Sequence, residues 1–238
     1  MRLLILSMPL LLLLACSEEQ APVAAPVPEP SPAKPAIPAE DLYQLAVGGN
    51  GFRPDMRMTD LRARFGEDQV SAAEVPLGEG QTEPGAVIHP QDPARRAYVY
   101  FLDANRESTI SAIYIRDAES IWRGPLGLRP GNTSLELERM NGGPFRFLGF
   151  DWDYGGYVSN WVDGTLSRLL LPPGQLAVRL APPPLAEGVD LPKGYPRGEG
   201  EFASDLAAVR DRPPVVVELG LAFVPAVAAS AAENTPPP

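Results

Sequence analysis

The sequence predicts an α+β domain of short helices packed on antiparallel sheet, built as two related halves. Three observations predict it. Two short helical patterns recur at an offset of 76 residues, each preceded by a proline and followed by a glycine. Each is followed by runs rich in β-branched and aromatic residues, in keeping with strands after a helix. Apolar residues make up 45% of the 238-residue chain, enough for a globular core.

The chain opens with Met1-Arg2 and a run, residues 3–14, that is apolar apart from Ser7 and Pro9. That is a secretory signal pattern, shorter than the ~20 residues that span a bilayer. It ends in Leu13-Leu14-Ala15-Cys16, and Cys16 is the one cysteine of the chain. This ending resembles the bacterial lipobox. The resemblance implies a leader over residues 1–15, cleavage before Cys16, and acylation of the Cys16 thiol and of the new amine. Two or three acyl chains anchor stably where one is marginal. Ser17 at the next position implies sorting to the outer membrane, with the domain facing the periplasm.

Residues 16–40 hold the lipidated cysteine and a tether with seven prolines and almost no large apolar side chain. Such composition buries no core and favours extended polyproline II. At ~3.1 Å per residue it reaches up to roughly 75 Å. The alternative use of those prolines is as a ligand motif for a partner. Residues 226–238, which end in three prolines, read as a second unstructured segment.

Residues 41–225 are left for the domain. The internal echo relates residues 51–66 to 127–142: Gly51-Phe52-Arg53-Pro54 matches Gly127-Leu128-Arg129-Pro130, Asp60-Leu61 matches Glu136-Leu137, and Gly66 matches Gly142. The spacing predicts one helix over residues 57–65, with Met58, Leu61 and Phe65 inward. It predicts another over 134–140, capped by Thr133, with Leu137 and Met140 inward. Residues 78–85 read as a flexible acidic loop. Strands are expected at 97–102 and 109–115, joined by a turn at 103–105, and then at 145–150, 157–162, 165–171, 176–181 and 215–223, the last in a central position. Asp163-Gly164 signals a hairpin between the 157–162 and 165–171 strands. In 109–115 the alternation is imperfect, so both faces are expected to be partly covered.

The pattern of glycine, apolar step, small helix and glycine resembles the small lipoproteins of barrel assembly and the β-lactamase-inhibitor-protein class. Both pack short helices on an antiparallel sheet. Leu137-Glu138-Arg139-Met140-Asn141-Gly142 with Phe145, then residues 149–156 (GFDWDYGG) and Trp161, look more closely like a family of bacterial envelope proteins. That family implies no particular activity. Fold likeness to the inhibitor class implies a third reading, an inhibitor of an extracytoplasmic hydrolase, by analogy alone.

Composition narrows the chemistry. Thirty acids against 20 bases give a net charge of −10, unfavourable for nucleic acid. A single cysteine and a single histidine rule out internal disulfides, cysteine-built metal sites and paired-histidine sites. His89 lies between prolines without a nucleophile-elbow motif, so it reads as structural or solvent-facing. Gly48-Gly49-Asn50-Gly51 reads as a turn, since no Lys-Ser/Thr step follows it. No catalytic residue, cofactor or metal is assigned.

The candidate ligand surface is Asp151, Trp152, Asp153, Tyr154, Tyr157 and Trp161. In extended backbone Trp152 and Tyr154 project to one side, Asp151 and Asp153 to the other, and Tyr157, Ser159 and Trp161 share a face. Aromatics beside acids can stack on sugars and bind hydroxyls; the competing reading places these rings in the core. The two aspartates fit a glycosidase pair or a calcium site only loosely. The expectation is a non-enzymatic, lipid-anchored module binding an envelope protein or cell-wall component, with a glycan-binding or carbohydrate-acting protein as the alternative.

Overall fold

The computed structural model describes residues 39–78, 80–103, 108–169 and 174–223. Cys16, the leader, residues 17–38 of the expected tether and the 226–238 segment lie outside them, while the last two residues of that tether, 39 and 40, are helical. The chain begins with a single turn of helix, α1 (Ala39–Leu42), and then the first repeated unit: α2 (Met58–Phe65), β1 (Val70–Gly78), β2 (Gln81–Ile88), β3 (Ala97–Asp103) and β4 (Ser108–Ile115). The second unit follows as α3 (Ser134–Asn141), β5 (Arg146–Leu148), β6 (Val158–Asn160) and β7 (Gly174–Ala181). It continues through β8 (Glu201–Ala203) and α4 (Ala207–Asp211) to β9 (Val215–Phe223). The architecture is α+β, as the sequence predicts.

Six strands form one antiparallel sheet in the order β1-β2-β3-β4-β9-β7, and three form a smaller one, β6-β5-β8. A backbone bridge between Tyr157 and Arg179 carries the ladder from the smaller sheet to β7. From one side, then, β1 to β4 run inward in chain order. From the other, β5, β6, β7 and β9 do the same, and the two series meet at the β4–β9 pair. The segment 182–214, with β8 and α4, is inserted before the last strand.

The repeat is a repeat of structure down to single hydrogen bonds. Gly48 N–H donates to Phe52 O at 2.9 Å, and Gly124 N–H to Leu128 O at 2.7 Å. Arg53 N–H is capped by Met56 Sδ at 3.4 Å, Arg129 N–H by Asn132 Oδ1 at 2.9 Å. Each helix starts with an acid three residues on that accepts from the cap backbone: Asp60 from Arg57 N at 2.8 Å, and Glu136 from Thr133 N at 2.7 Å. Thr133 Oγ1 accepts from Glu136 N in return, which completes a capping box.

Both helices pack on one face of the sheet. Met58, Leu61 and Phe65 are buried as expected, Leu137 is fully buried, and Met140 is half-buried against the same core. Beside Phe65 of α2, Trp122, fully enclosed, stacks on Phe52 at 6.0 Å and donates its Nε1–H to Arg95 O at 2.9 Å. Arg64 ties the entering segment to α2. Its guanidinium donates to the carbonyls of Leu42, Asn50 and Gly51 and lies 4.6 Å over the Phe52 ring. Burial lowers its pKa to about 10.

Several expectations are corrected. The expected loop over 78–85 is largely strand: Gly78 and residues 81–85 belong to the pairing of β1 with β2. Prolines 76 and 84 and a polar sequence hide these strands, one of which is the sheet edge, where such residues are tolerated. The 145–150 and 157–162 runs shorten to β5 and β6. Asp163-Gly164 makes no hairpin. Val162 and Asp163 both take positive φ, at 51° and 58°, and lead into a 3-10 turn at Thr165–Ser167 in place of the expected strand; that expectation extends beyond the described residues. The uneven pattern in 109–115 comes from a register shift between β3 and β4. Opposite Tyr100-Phe101 stand Ala112 and Ile110, so Ser111 is the extra residue and the alternation changes phase there.

Candidate functional site

The sheet has a second face, and no helix among the described residues packs on it. Its small apolar cluster consists of strand residues alone, Val75, Val87, Tyr100 and Ala112, with Tyr98, Tyr114 and Ala222 packed against them. Strand alternation places these side chains opposite the core set of Ala86, Val99, Ile113 and Leu221. Tyr114 sits directly across from Gly220, and a Cβ at Gly220 would overlap the Tyr114 ring. The missing side chain lets that ring lie flat on the neighbouring strand.

At the middle of this face Arg116 is enclosed by three tyrosines. Its guanidinium carbon is 5.2 Å from the ring centre of Tyr98, 5.4 Å from Tyr114 and 5.9 Å from Tyr100. Arg116 Nε donates to Glu218 Oε2 at 2.5 Å, and Nη1 donates to Tyr100 Oη at 3.0 Å. Tyr100 in turn donates to the Pro76 carbonyl, and Tyr157 donates to Glu218 Oε1 at 2.7 Å. Glu218 is 5% exposed, and each carboxylate oxygen has a charge-assisted partner. Arg179, opposite Glu218 on β7, lies 5.2 Å over the Tyr157 ring and donates to Gly155 O at 2.9 Å and Asp153 O at 3.3 Å.

The electrostatics describe a fixed surface rather than a reactive one. Burial raises the Tyr114 phenol to about 12, with Glu218 adding to it. Burial and then Glu218 push Tyr157 well above the ordinary range. Burial also raises Tyr100, although Arg116 pulls the other way. Burial works against the Arg116 charge, and Glu218 and Tyr100 outweigh it and raise its pKa. At neutral pH the phenols are protonated donors and poor general bases, while the one buried carboxylate is fully engaged.

Of the residues the sequence singles out, only Tyr157 reaches this face. The 149–157 segment is a looped turn, not a strand. Asp151 has φ 69° and accepts from Arg197 Nη1 at 2.7 Å. Trp152 donates its Nε1–H to Gly149 O at 2.8 Å, and its ring meets Tyr154 edge-on at 5.4 Å, so those two share a side as expected. Tyr154 is 64% exposed and Asp153 is exposed. Gly156 holds the loop to the sheet: its N–H donates to Leu148 O at 2.9 Å and its carbonyl accepts from Leu180 N at 2.8 Å.

Trp161 departs from the expected shared face with Tyr157. It packs into the core, 5.3 Å from Phe145. The register shifts between Arg146, opposite Asn160, and Phe147, opposite Val158. Ser159 is therefore an extra residue, and one extra residue sends the next side chains to the other face. The aromatic segment thus divides: Trp161 is core, Tyr157 belongs to the sheet face, and Trp152 and Tyr154 form an exposed margin.

Sequence reasoning passed over Tyr98, Tyr100, Tyr114, Arg116 and Glu218. Two signals mark them: tyrosines at period two on adjacent strands, and a lone glutamate inside the apolar run VVVELGLAF. His89 is buried and structural. Its Nδ1–H donates to Gln69 Oε1 at 2.9 Å, and Nε2 accepts from Tyr43 Oη at 3.1 Å. Among the described residues no group of three or more histidine, cysteine, aspartate or glutamate side chains gathers as a metal site. No helix among them is long and apolar enough to cross a membrane.

No protein-family model matches this chain, no curated protein matches it, and no solved structure matches it. The fold and the face define what there is to reason from: an α+β domain with helices on one side of its sheet and an aromatic, ion-paired surface on the other.

Proposed function

We propose that this chain is a lipid-anchored protein of the bacterial envelope whose domain is a non-enzymatic binding module, and that it engages a protein partner through the helix-free face of its sheet. The observation that carries the reading is the Tyr98–Tyr100–Tyr114–Arg116–Glu218–Tyr157 surface, which only strand and loop residues build. Tyrosine and arginine are the residues enriched where proteins bind one another, and rigid, internally bonded side chains lose little freedom on binding. On this face Leu102 is exposed and Tyr98, Tyr114 and Arg116 are half-buried, while Val75, Tyr100 and Glu218 lie buried and hold them in place.

The anchor is Cys16, with the outer membrane as its site and residues 17–40 as the tether. The glycan alternative draws on Trp152 and Tyr154. Their edge-on contact leaves them without the shared flat platform that a sugar ring stacks on, so the protein-binding reading is the better supported. A hydrolase held by this face would be one such partner.

The test is photocrosslinking in intact cells from a reactive residue placed at Leu102, 62% exposed on β3, at Tyr154, or at Arg139 on α3. A discrete adduct from Leu102 and Tyr154 but not Arg139 is expected. Adducts from Arg139 alone, or none from any position, would overturn the assignment of the face. Fractionation of Cys16→Ala tests the anchor separately, the expected result being release from the membrane pellet.

A further inference from the structure

At the end of the domain where the chain enters, the turns of the two repeats come together around a groove of about 580 Å³. Leu45, Val47, Pro125, Leu126 and Leu169 wall it. Leu126 is 56% exposed and Leu169 40%, although both are leucines in a chain with ample core. Leu126 also has φ 56° and ψ 20°, a left-handed conformation uncommon for a bulky side chain. The matching residue of the first repeat is Asn50, a polar residue suited to a turn.

The residues that line the groove carry no charge, and those nearest to them along the chain include Arg123, Arg129 and Arg168, in a chain of net charge −10. Asp41 and Asp163 also lie near the lining residues along the chain. Arg129 and Arg168 are exposed. Burial and then the neighbouring Arg129 lower the pKa of Arg123, which places those two cations close to one another. The groove wall begins at Gln44, a few residues after the tether joins the domain.

We propose that this end of the domain is a membrane-contact surface, with Leu126 and Leu169 entering the interfacial region of an anionic lipid bilayer and Arg123, Arg129 and Arg168 meeting its phosphates. Exposed leucines flanked by arginines have the composition of an interfacial anchor, whose binding adds apolar burial to attraction for anionic lipid. The tether makes the contact effective, since a tethered second site acts at a high local concentration. The biological setting rests on the anchored reading of Cys16, but the contact itself does not require the lipid.

The test therefore uses the chain from residue 17 onward, which lacks leader and cysteine but keeps every described residue. It is sedimented with vesicles of phosphatidylethanolamine and phosphatidylglycerol, and with vesicles of phosphatidylcholine alone. Binding to the anionic vesicles at least tenfold tighter than to the neutral ones is expected, weakening as salt rises. Leu126→Glu with Leu169→Glu, and separately Arg129→Glu with Arg168→Glu, should each reduce it about tenfold. Leu206→Glu, an exposed leucine just before α4, should leave it unchanged, and circular dichroism checks the fold of each variant. Leu126→Gly, which removes the side chain and relieves the backbone, must also weaken binding. No binding to anionic vesicles, equal binding to both, or binding that ignores the leucine changes would overturn the proposal. Because Cys16 is absent from this experiment, its failure is separate from any failure of the lipid anchor.

Discussion

Replacing Arg116 by methionine keeps the aliphatic stem and removes the charge that is ion-paired with Glu218. The Glu218 side chain is 6% exposed and that of Arg116 28%. Breaking a buried pair by removing one partner costs about 3–5 kcal/mol, because the remaining charge stays desolvated. Arg116 is more than a quarter exposed, which screens part of the interaction and places the loss near ~3 kcal/mol. For a domain of this size that is a fall in Tm of about 6–12 °C. Urea unfolding of wild type, Arg116→Met, Glu218→Met and the double variant measures it. The double variant should recover at least ~2 kcal/mol relative to Arg116→Met, since two apolar side chains can replace an ion pair at little cost. A loss below ~1 kcal/mol for Arg116→Met, or a double variant no more stable than the single one, would falsify the view that Glu218 is held by this arginine.

Tyr157→Phe removes the other bond to Glu218 and should cost about 1.5–3 kcal/mol, the range for a hydrogen bond to a charged group, read from the same urea curves. His89 has its pKa lowered by burial and then by Arg95, against a smaller opposing effect of Asp92. The unfolded chain therefore takes up the proton first, so stability rises with pH from the folded-state pKa up to about 6.5 and is level above it. NMR of the single imidazole should titrate below 6.5, and thermal melts of His89→Asn should lose the pH dependence in that window. Gly156→Ala combines φ 83° with a Cβ that overlaps the Leu180 carbonyl, whereas Gly188, with φ 77°, has open space around it. Gly188→Ala should cost about 1 kcal/mol and Gly156→Ala at least ~2 kcal/mol more, measured by thermal unfolding. Leu61→Ala and Leu137→Ala, both fully buried at matched positions, should each cost about 2–5 kcal/mol by the same measurement.

Helix punctuation was the most legible part of the fold. Gly66 and Gly142, Thr133 with Glu136, and the inward Leu61 and Leu137 act through contacts a few residues apart, so the sequence carries them directly. Strands with strong alternation, 97–103 and 215–223, were legible for the same reason. What the sequence left hidden depends on neighbours far along the chain. The β1–β2 hairpin reads as a loop because prolines 76 and 84 are harmful only where a ladder bond is needed. The phase changes at Ser111 and Ser159 arise from register against a partner strand, and they decide that Trp161 is core while Tyr157 joins the open face. Arg116 and Glu218 stand 102 residues apart, so nothing local announces their pairing. The aromatic segment 149–161 drew attention by composition, yet its members have three different roles because its backbone turns at Asp151 and bulges at Ser159.

The repeated arrangement explains why the two surfaces lie where they do. Each unit supplies a helix to the same side of the sheet, so the opposite side carries no helix among the described residues across the β4–β9 junction, where the two series of strands meet. Glu218 comes from β9 and Arg116 follows β4, so the ion pair spans the junction between the units and neither unit alone can make it. The groove likewise takes one wall from the first turn, Gln44 to Val47, and another from the second, Gly124 to Gly127. The matched positions have diverged at both places. Arg64, which clamps the entering segment, corresponds to Met140, and Asn50 corresponds to the exposed Leu126. Divergence at the seam is therefore the feature to follow in any variant of this chain: exchanging Leu126 for asparagine restores the first-repeat residue and should weaken vesicle binding while leaving thermal stability equal or higher, because asparagine accepts the left-handed backbone more readily than leucine.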